Sequence, residues 1–150
     1  MKQGRIAAPL DENRTFTFRS RPEAVSAARR ALDGLDDHLD ASVFYDASLC
    51  LSELVANAVL HSDAGEDDEL ELIVSLAGET LRVTVIDHGS GFDPGEPTGG
   101  DESGWGLYIV DRLSNAWGVE RDPHTAVWFE IRTGVEAEAE GAPARSSSTA

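Results

Sequence analysis

The stretch ELVANAVLHS, residues 53–62, decides the fold, because it places polar side chains at a regular spacing inside an apolar helical pattern. Glu53, Asn57 and His61 recur at every fourth residue. Residues four apart on an α-helix differ by only about 40° in direction, so these three share one face. An ionised glutamate beside a core is costly unless it has partners or water. The stretch therefore fits either the solvated edge of an amphipathic helix or the wall of a binding site.

The residues before this stretch predict a strand and a first helix. RTFTFRS, residues 14–20, alternates polar and aromatic residues, which is typical of a strand. SRPEAVSAARRAL, residues 20–32, predicts a helix with Ser20 as its N-cap and Glu23 three residues later. The predicted apolar stripe of this helix is Ala24, Val25, Ala28 and Leu32.

The quoted stretch ends a second predicted helix, which covers residues 43–62. Asp40 and Ser42 are its candidate capping residues. Apolar residues at helical spacing predict its buried stripe, which consists of Phe44, Ala47, Leu51, Leu54, Val55 and Ala58.

The second half of the chain changes to a strand period. Residues 70–76 and 81–87 alternate, with AGET between them, which predicts an antiparallel hairpin. Residues 88–104 contain six glycines and two prolines and predict a long loop. Helical spacing returns in GLYIVDRLS, residues 106–114. AWGVERD and TAVWFEIR then predict a closing pair of strands, with Val127, Phe129 and Ile131 facing one side.

This order of elements predicts an α+β fold, a two-layer α/β sandwich with a mostly antiparallel sheet and the helices on one face. The predicted folded domain covers residues 14–133. Residues 1–13 lack periodicity and predict a flexible N-terminal tail. Residues 134–150 are rich in Ala, Glu, Ser and Gly, and this composition predicts a disordered C-terminal tail.

Composition and charge exclude several classes of function. The net charge is −16 and the pI is about 4.4, so the surface repels phosphate backbones and anionic lipids. We therefore expect no direct nucleic-acid partner and no membrane partner. No apolar run approaches the roughly 18 residues of a membrane span. Cys50 is the single cysteine, which excludes an intrachain disulfide and fits a cytoplasmic protein.

Two glycine-containing stretches add candidate binding residues. Asp87 ends a predicted strand and is followed by Gly89 and Gly91, which let a backbone approach a ligand closely. A carboxylate there can accept a hydrogen bond from an amino group such as that of adenine. Gly104 and Gly106 open a predicted helix, whose free N–H groups suit an anion. Each pattern alone is common, but their order after Glu-x-x-x-Asn is specific.

These three stretches, in this order along the chain, resemble the GHKL (Bergerat-type) ATP-binding domain of histidine kinases, Hsp90-type chaperones, type II topoisomerases and MutL-like proteins. ELVAN, DHGSG and GWG look like its N box, G1 box and G2 box. The short length, LSELVANAVLHS and the ending TAVWFEI resemble the small bacterial anti-sigma factor serine/threonine kinases. The resemblance covers about residues 16–131 and implies the histidine kinase-like ATPase fold.

The resemblance also implies roles for individual residues. Asn57 matches the asparagine that coordinates Mg²⁺ on the ATP phosphates, and Glu53 matches the proposed general base. Asp87 matches the aspartate that binds the adenine amino group. The other implied nucleotide contacts are Gly89, Gly91, Gly104, Gly106, Leu107 and Thr125. For His61 we expect a structural hydrogen bond, with no role assigned by the resemblance.

The sequence before the second Gly-x-Gly differs from that of active kinases of this type, which tend to carry a basic residue there. That place is DESGWG here, and no Lys or Arg occurs between Asp87 and Asp111. Positioned cations stabilise phosphoryl transfer, so nucleotide binding is better supported than turnover. Trp105, between the two glycines, either packs the loop down or presents a partner surface.

Three functions are compatible with these residues. The first is an ATP- and Mg²⁺-dependent regulator that phosphorylates a serine or threonine of an antagonist protein, sequesters a sigma factor, or does both. The second is an ATP-binding module that acts only by sequestering a partner. The third is a detached catalytic domain of a histidine-kinase-like relay. The sequence shows neither a dimerisation hairpin nor a phospho-acceptor domain, which argues against this third function. The resemblance also implies that the domain can form a homodimer.

Overall fold

The computed structural model describes residues 12–61, 68–88, 102–121 and 124–133. At residues 12, 36, 61 and 102–105 it describes the backbone alone. The elements follow the predicted order: β1 (Glu12–Arg19), α1 (Glu23–Asp33), a 3₁₀ turn (Asp36–His38), α2 (Ala41–His61), β2 (Glu69–Ala77), β3 (Thr80–Asp87), α3 (Glu102–Leu113), β4 (Ala116–Glu120) and β5 (Thr125–Arg132).

The five strands form one antiparallel sheet in the order β1-β2-β3-β5-β4. Side chains alternate between buried and half-buried along β2 and β3, as the period of two in their sequences predicts. The buried side joins the helices in a common core, and Phe129 of β5 is its largest fully buried side chain. The α+β class and the two-layer arrangement are confirmed.

Helix α2 is the central helix, because it packs against α1 on one side and α3 on the other. Five of its six predicted stripe residues are buried, and Phe44 is half-buried. The helix covers Ala41–His61, within two residues of the predicted bounds 43–62. Over Ala41–Leu60 its mean hydropathy of 1.4 and its length would let it cross a membrane. Its buried side packs into the core, which accounts for this composition.

Two predicted helix starts are wrong. Ser20 is not the N-cap of α1: Pro22 holds that position and no side chain caps the helix. Ser20 is instead buried, and its N–H donates to the Asp68 carbonyl at 2.8 Å, which prolongs the pairing of β1 with β2. Helix α3 begins at Glu102, so Gly104 lies inside its first turn and the predicted loop ends earlier. Glycine lowers helix propensity by only about 1 kcal/mol, which the packed helix tolerates.

Gly118 of β4 is required by a close contact with the neighbouring strand. It pairs with Trp128 of β5, and a Cβ atom at position 118 would lie 2.7 Å from the Trp128 Cζ2 atom. The indole cannot move away freely, because the Arg82 guanidinium lies 4.0 Å from its ring centroid. Arg82 is itself held by Glu130, with 2.8 Å between Nη1 and Oε2.

We expect Gly118→Ala to destabilise the domain by about 1–3 kcal/mol through overpacking against the indole. The measurement is urea unfolding of the single variant and of the same substitution in a Trp128→Ala background. The substitution should cost little in that background, because the obstructing ring is gone. An equal cost in both backgrounds would show that the Trp128 contact is not the cause.

Candidate functional site

The first part of the site is the contact between α2 and the first turns of α3. A Cβ atom at Gly106 would lie 3.4 Å from Glu53 Oε1 and 3.7 Å from the Glu53 carbonyl oxygen. Glycine at this position therefore leaves open space beside the carboxylate, which any larger residue would fill. Two motifs that are 53 residues apart in the chain, Glu-x-x-x-Asn and Gly-x-Gly, meet at this point.

Burial controls the acid–base properties of this face of α2. Glu53 is half-buried, and desolvation raises the pKa of its carboxyl group. Asp46, two turns earlier, also has a pKa raised by desolvation. Between them the buried Cys50 thiol has a pKa raised to about 12, first by desolvation and then by the charges of Asp46 and Glu53. Cys50 is therefore a neutral thiol, while Glu53 is a carboxylate that is easier to protonate than usual.

Asn57 lies one turn after Glu53 and is buried, with 8% of its surface exposed. A buried side-chain amide needs hydrogen-bond or ligand partners, and Asn57 does make an interaction. Glu53 and Asn57 are neighbours on one helix, so the prediction that they share a face is consistent with the structure. His61 is the last residue of α2, and its side chain lies outside the described part.

The second part of the site lies where β3 ends and β5 begins. Asp87 is 1% exposed and pairs directly with Thr125, which is also buried. One carboxylate oxygen, Oδ2, is enclosed and receives no hydrogen bond from the described residues, while the residue itself has another interaction. Helix α2 contacts both strands, which brings the two parts of the site to the same core. The sequence spacing alone does not reveal the pairing of Asp87 with Thr125.

The remaining predicted site residues are placed as follows. Leu107 is fully buried in α3 and contributes to the core. Gly104 lies in the first turn of α3, where the backbone N–H groups of a helix lack intrahelical partners. Gly89, Gly91 and the side chain of Trp105 lie outside the described residues. The assignment of Gly89 and Gly91 to the site stays a prediction.

Sequence inspection missed three residues near the site. Asp46 continues the stripe of Glu53 and Asn57 toward the helix start, and extending the search by two turns would have found it. His88 and His124 flank the Asp87–Thr125 pair, and their ring centroids are 4.5 Å apart. His88 Nε2 also lies 2.6 Å from Glu71 Oε1. Only the strand register reveals this histidine pair, because the two residues are 36 positions apart.

The donor set is compatible with Mg²⁺ but not with a metal held by the protein alone. Asn57 offers an amide oxygen, which is a hard ligand of the type that Mg²⁺ prefers. Among the described residues there is no group of three or more His, Cys, Asp or Glu that could hold a metal ion. Mg²⁺ typically takes one or two protein ligands and fills its shell with phosphate oxygens and water. The residues present therefore fit Mg²⁺ that arrives with a nucleotide.

The sequence of this chain matches a known protein family. The family model of the histidine kinase-like ATPase domain matches residues 18–131, nearly the whole described fold. The chain belongs to this family. The matched residues include Glu53, Asn57, Asp87 and Gly106.

Curated relatives of this histidine kinase-like ATPase domain include serine-protein kinases named RsbW. The protein from Listeria monocytogenes serotype 4a is 32% identical over 89 residues, which cover 57% of this chain and 57% of the relative. The protein from Listeria innocua serovar 6a is 30% identical over the same coverage. The chain therefore spans 57% of the length of these relatives.

A solved structure shows the same fold. It contains the RsbU and RsbW domains of Rv1364c from Mycobacterium tuberculosis. The TM-score is 0.64 at 24% identity, and the match covers 81% of this chain and 32% of the other. The recognition of a histidine kinase-like ATPase domain from sequence motifs is confirmed by the family match and by this fold.

Proposed function

We propose that this domain binds Mg-ATP and acts as an anti-sigma-type regulator in the cytoplasm. In this proposal it phosphorylates a serine or threonine of an antagonist protein, sequesters a sigma factor, or does both, and so regulates transcription. The observation that carries the proposal is the contact of Gly106 with Glu53, which joins the second turn of α3 to the candidate base. The relatives named serine-protein kinase support the kinase activity.

Each side chain has a chemical role in this proposal. Asn57 would hold Mg²⁺ through its amide oxygen, and bound Mg²⁺ would neutralise charge on the phosphates. The Glu53 carboxylate would accept the proton of the attacking hydroxyl group, and its raised pKa makes it a better base. Asp87, with Thr125 beside it, would accept a hydrogen bond from the adenine amino group. The N–H groups at the start of α3 would face the phosphates.

The second candidate is an ATP-binding module without turnover. It is favoured by the absence of Lys and Arg between Asp87 and Asp111 in the sequence, since a positioned cation contributes strongly to phosphoryl transfer. In that case the domain would act only by holding its partner. The dependence of turnover on Glu53 separates the two candidates.

The preference for adenine over guanine tests the proposed nucleotide site itself. We expect Asp87→Asn to weaken Mg-ATP binding by about tenfold or more, because a hydrogen bond to a charged acceptor contributes about 1.5–3 kcal/mol. Wild type should bind ATP better than GTP, because guanine carries an acceptor where adenine carries its amino donor. The measurement is calorimetric titration with both nucleotides.

The matched control is Asp33→Asn, which neutralises an exposed carboxylate on α1. It should bind both nucleotides like the wild type. Equal affinity of the wild type for ATP and GTP, or unchanged ATP affinity in Asp87→Asn, would contradict the assigned role of Asp87. Absence of binding to the wild type at millimolar ATP would refute the nucleotide site as a whole.

A further inference from the structure

Three side chains meet behind the Asp87–Thr125 pair, on the face of the sheet that does not carry the helices. Asp87 is buried on the helix side, and side chains alternate along a strand, so the next residue, His88, lies on the outer face and is exposed. The His88 ring contacts the His124 ring, with 4.5 Å between centroids and 66° between planes. It also contacts Glu71. We call Glu71, His88 and His124 the histidine cluster.

The histidine cluster joins the ends of three strands. Glu71 is in β2, His88 directly follows β3, and His124 directly precedes β5. Glu71 pairs with Ile86, so its contact with His88 is a diagonal cross-strand contact, which long side chains can make. His88 Nε2 lies 2.6 Å from Glu71 Oε1, and because an ionised carboxylate only accepts hydrogen bonds, the Nε2 atom carries the proton. The contact with Glu71 therefore fixes both the position and the tautomer of the His88 ring.

The backbone pairing of β3 ends at the same place. The register of β3 with β5 stops at Asp87 and Thr125. Toward β2, the His88 N–H donates to the Glu69 carbonyl at 3.2 Å, which is at the long end of the range for such bonds. Strand ends open readily, because ordering each backbone residue costs conformational entropy that fewer contacts offset there. Side-chain contacts at His88 and His124 oppose this opening, since these residues are the chain neighbours of the final pair.

We propose that the histidine cluster positions Asp87 for the recognition of adenine. This inference rests on the proposed function, in which the Asp87 carboxylate accepts a hydrogen bond from the adenine amino group. A group that distinguishes an amino donor from a carbonyl acceptor must be held within about 0.5 Å of its productive position. The cluster fixes the backbone on the chain side of Asp87 where β3 ends, and it does so from the opposite face. His88 and His124 are therefore positioning residues.

The same face of the sheet offers a matched pair for comparison. Arg82 and Glu130 join β3 to β5, with 2.8 Å between Nη1 and Oε2. Their side chains are 38% and 32% exposed, against 38% and 26% for His88 and Glu71. Arg82 lies five residues before Asp87 in the chain, so this pair is not adjacent to the proposed adenine contact. Removal of Glu130 therefore reproduces the loss of charge and packing without affecting the neighbours of Asp87.

The experiment compares Glu71→Ala with Glu130→Ala in the full chain, by calorimetric titration with Mg-ATP and Mg-GTP. Glu71→Ala should lower ATP affinity by about threefold to tenfold, between the contributions of an exposed and a buried charged hydrogen bond, and should leave GTP affinity nearly unchanged. The ratio of ATP to GTP affinity should therefore fall. Glu130→Ala should keep the wild-type ratio. His124→Ala, which removes the ring contact and keeps the pairing of His88 with Glu71, should also lower the ratio.

Hydrogen exchange of the nucleotide-free protein tests the cluster separately from nucleotide binding. The amides of residues 85–88 should exchange faster in Glu71→Ala than in the wild type, and Glu130→Ala should not change them. Unchanged exchange there would overturn the role of the cluster, whether or not ATP binds. Faster exchange with an unchanged affinity ratio, or an equal loss of ATP affinity in Glu71→Ala and Glu130→Ala, would overturn the positioning of Asp87. A wild type that binds no ATP would refute the proposed function, and this inference with it, whereas a wild type that prefers ATP but is matched by Glu71→Ala would refute this inference alone.

Discussion

Replacing Glu53 by glutamine is expected to lower phosphotransfer to an antagonist protein by about 10²- to 10⁴-fold, the usual contribution of a general base. The substitution keeps the size of the side chain and the contact with Gly106 but removes the proton acceptor. Mg-ATP affinity should change little, because the proposed metal contact comes from Asn57. Transfer of labelled phosphate from ATP and calorimetric titration measure the two effects separately.

Asp46→Asn is the matched control for this experiment. Asp46 is on the same helix and its pKa is also raised by desolvation, but it lies two turns away from the contact with Gly106. Its replacement should leave turnover near the wild-type value. An equal loss in both variants would indicate a general charge effect on α2. A wild-type turnover that does not depend on Glu53 would favour the binding module.

The same residue predicts a dependence on pH. Because the pKa of Glu53 is raised, its protonation on acidification begins at a higher pH than for an ordinary glutamate, and phosphotransfer should fall there.

The free energy of unfolding depends on pH in the opposite direction, because protonation of Glu53 lowers phosphotransfer but raises stability. The penalty of burying the ionised carboxylate is absent below the unfolded pKa and appears as the pH rises through the folded pKa. Glu53→Gln should therefore be slightly more stable than wild type at pH 7, by less than about 1 kcal/mol after solvent screening, and equal to it at acidic pH.

Asn57→Ala is expected to lower Mg-dependent ATP affinity by about 10- to 100-fold, the usual range for groups that hold or orient a metal. The amide is buried on α2, so its removal eliminates the proposed metal ligand at a rigid position. Titration of ATP with Mg²⁺ and with EDTA separates the metal-dependent part of the affinity. In EDTA the variant and the wild type should bind ATP equally.

Asn115→Ala provides the comparison for a structural asparagine. The Asn115 side chain accepts a hydrogen bond from the Arg132 N–H at 2.7 Å, away from the proposed site. Its loss should lower the free energy of unfolding but leave the Mg²⁺ dependence of ATP binding intact. If Asn57→Ala retains the full Mg²⁺ effect, Asn57 does not hold the metal, and the metal assignment fails.

The elements and their order could be predicted because each has a clear period. The alternation in β2 and β3 and the apolar spacing in α2 depend only on local geometry. The N-cap of α1 was predicted wrongly because Ser20 also has the option of pairing with β2, and that tertiary contact prevailed. Helix α3 was predicted too short because two glycines in its first turns lower local propensity but do not prevent a packed helix from forming.

The site could be predicted in its parts but not in its arrangement. Glu53 and Asn57 follow from the helical period, since they are one turn apart. The contact of Gly106 with Glu53 and the pairing of Asp87 with Thr125 depend on how elements distant in the chain meet. No local pattern contains that information. The roles of Gly89 and Gly91 stay predictions, because those residues lie outside the described part.

The central position of α2 also determines how the site responds to local unfolding. Glu53 and Asn57 are on the helix that supplies Leu51, Leu54, Val55 and Ala58 to the core. Binding groups are often found on segments that exchange their amide hydrogens readily, but these two are on an element that should open only when the whole domain unfolds. Amide hydrogens around residues 53–57 should therefore be among the slowest to exchange. A substitution on α2 at Glu53 or Asn57 would therefore act on the proposed site and on the stability of the whole fold together.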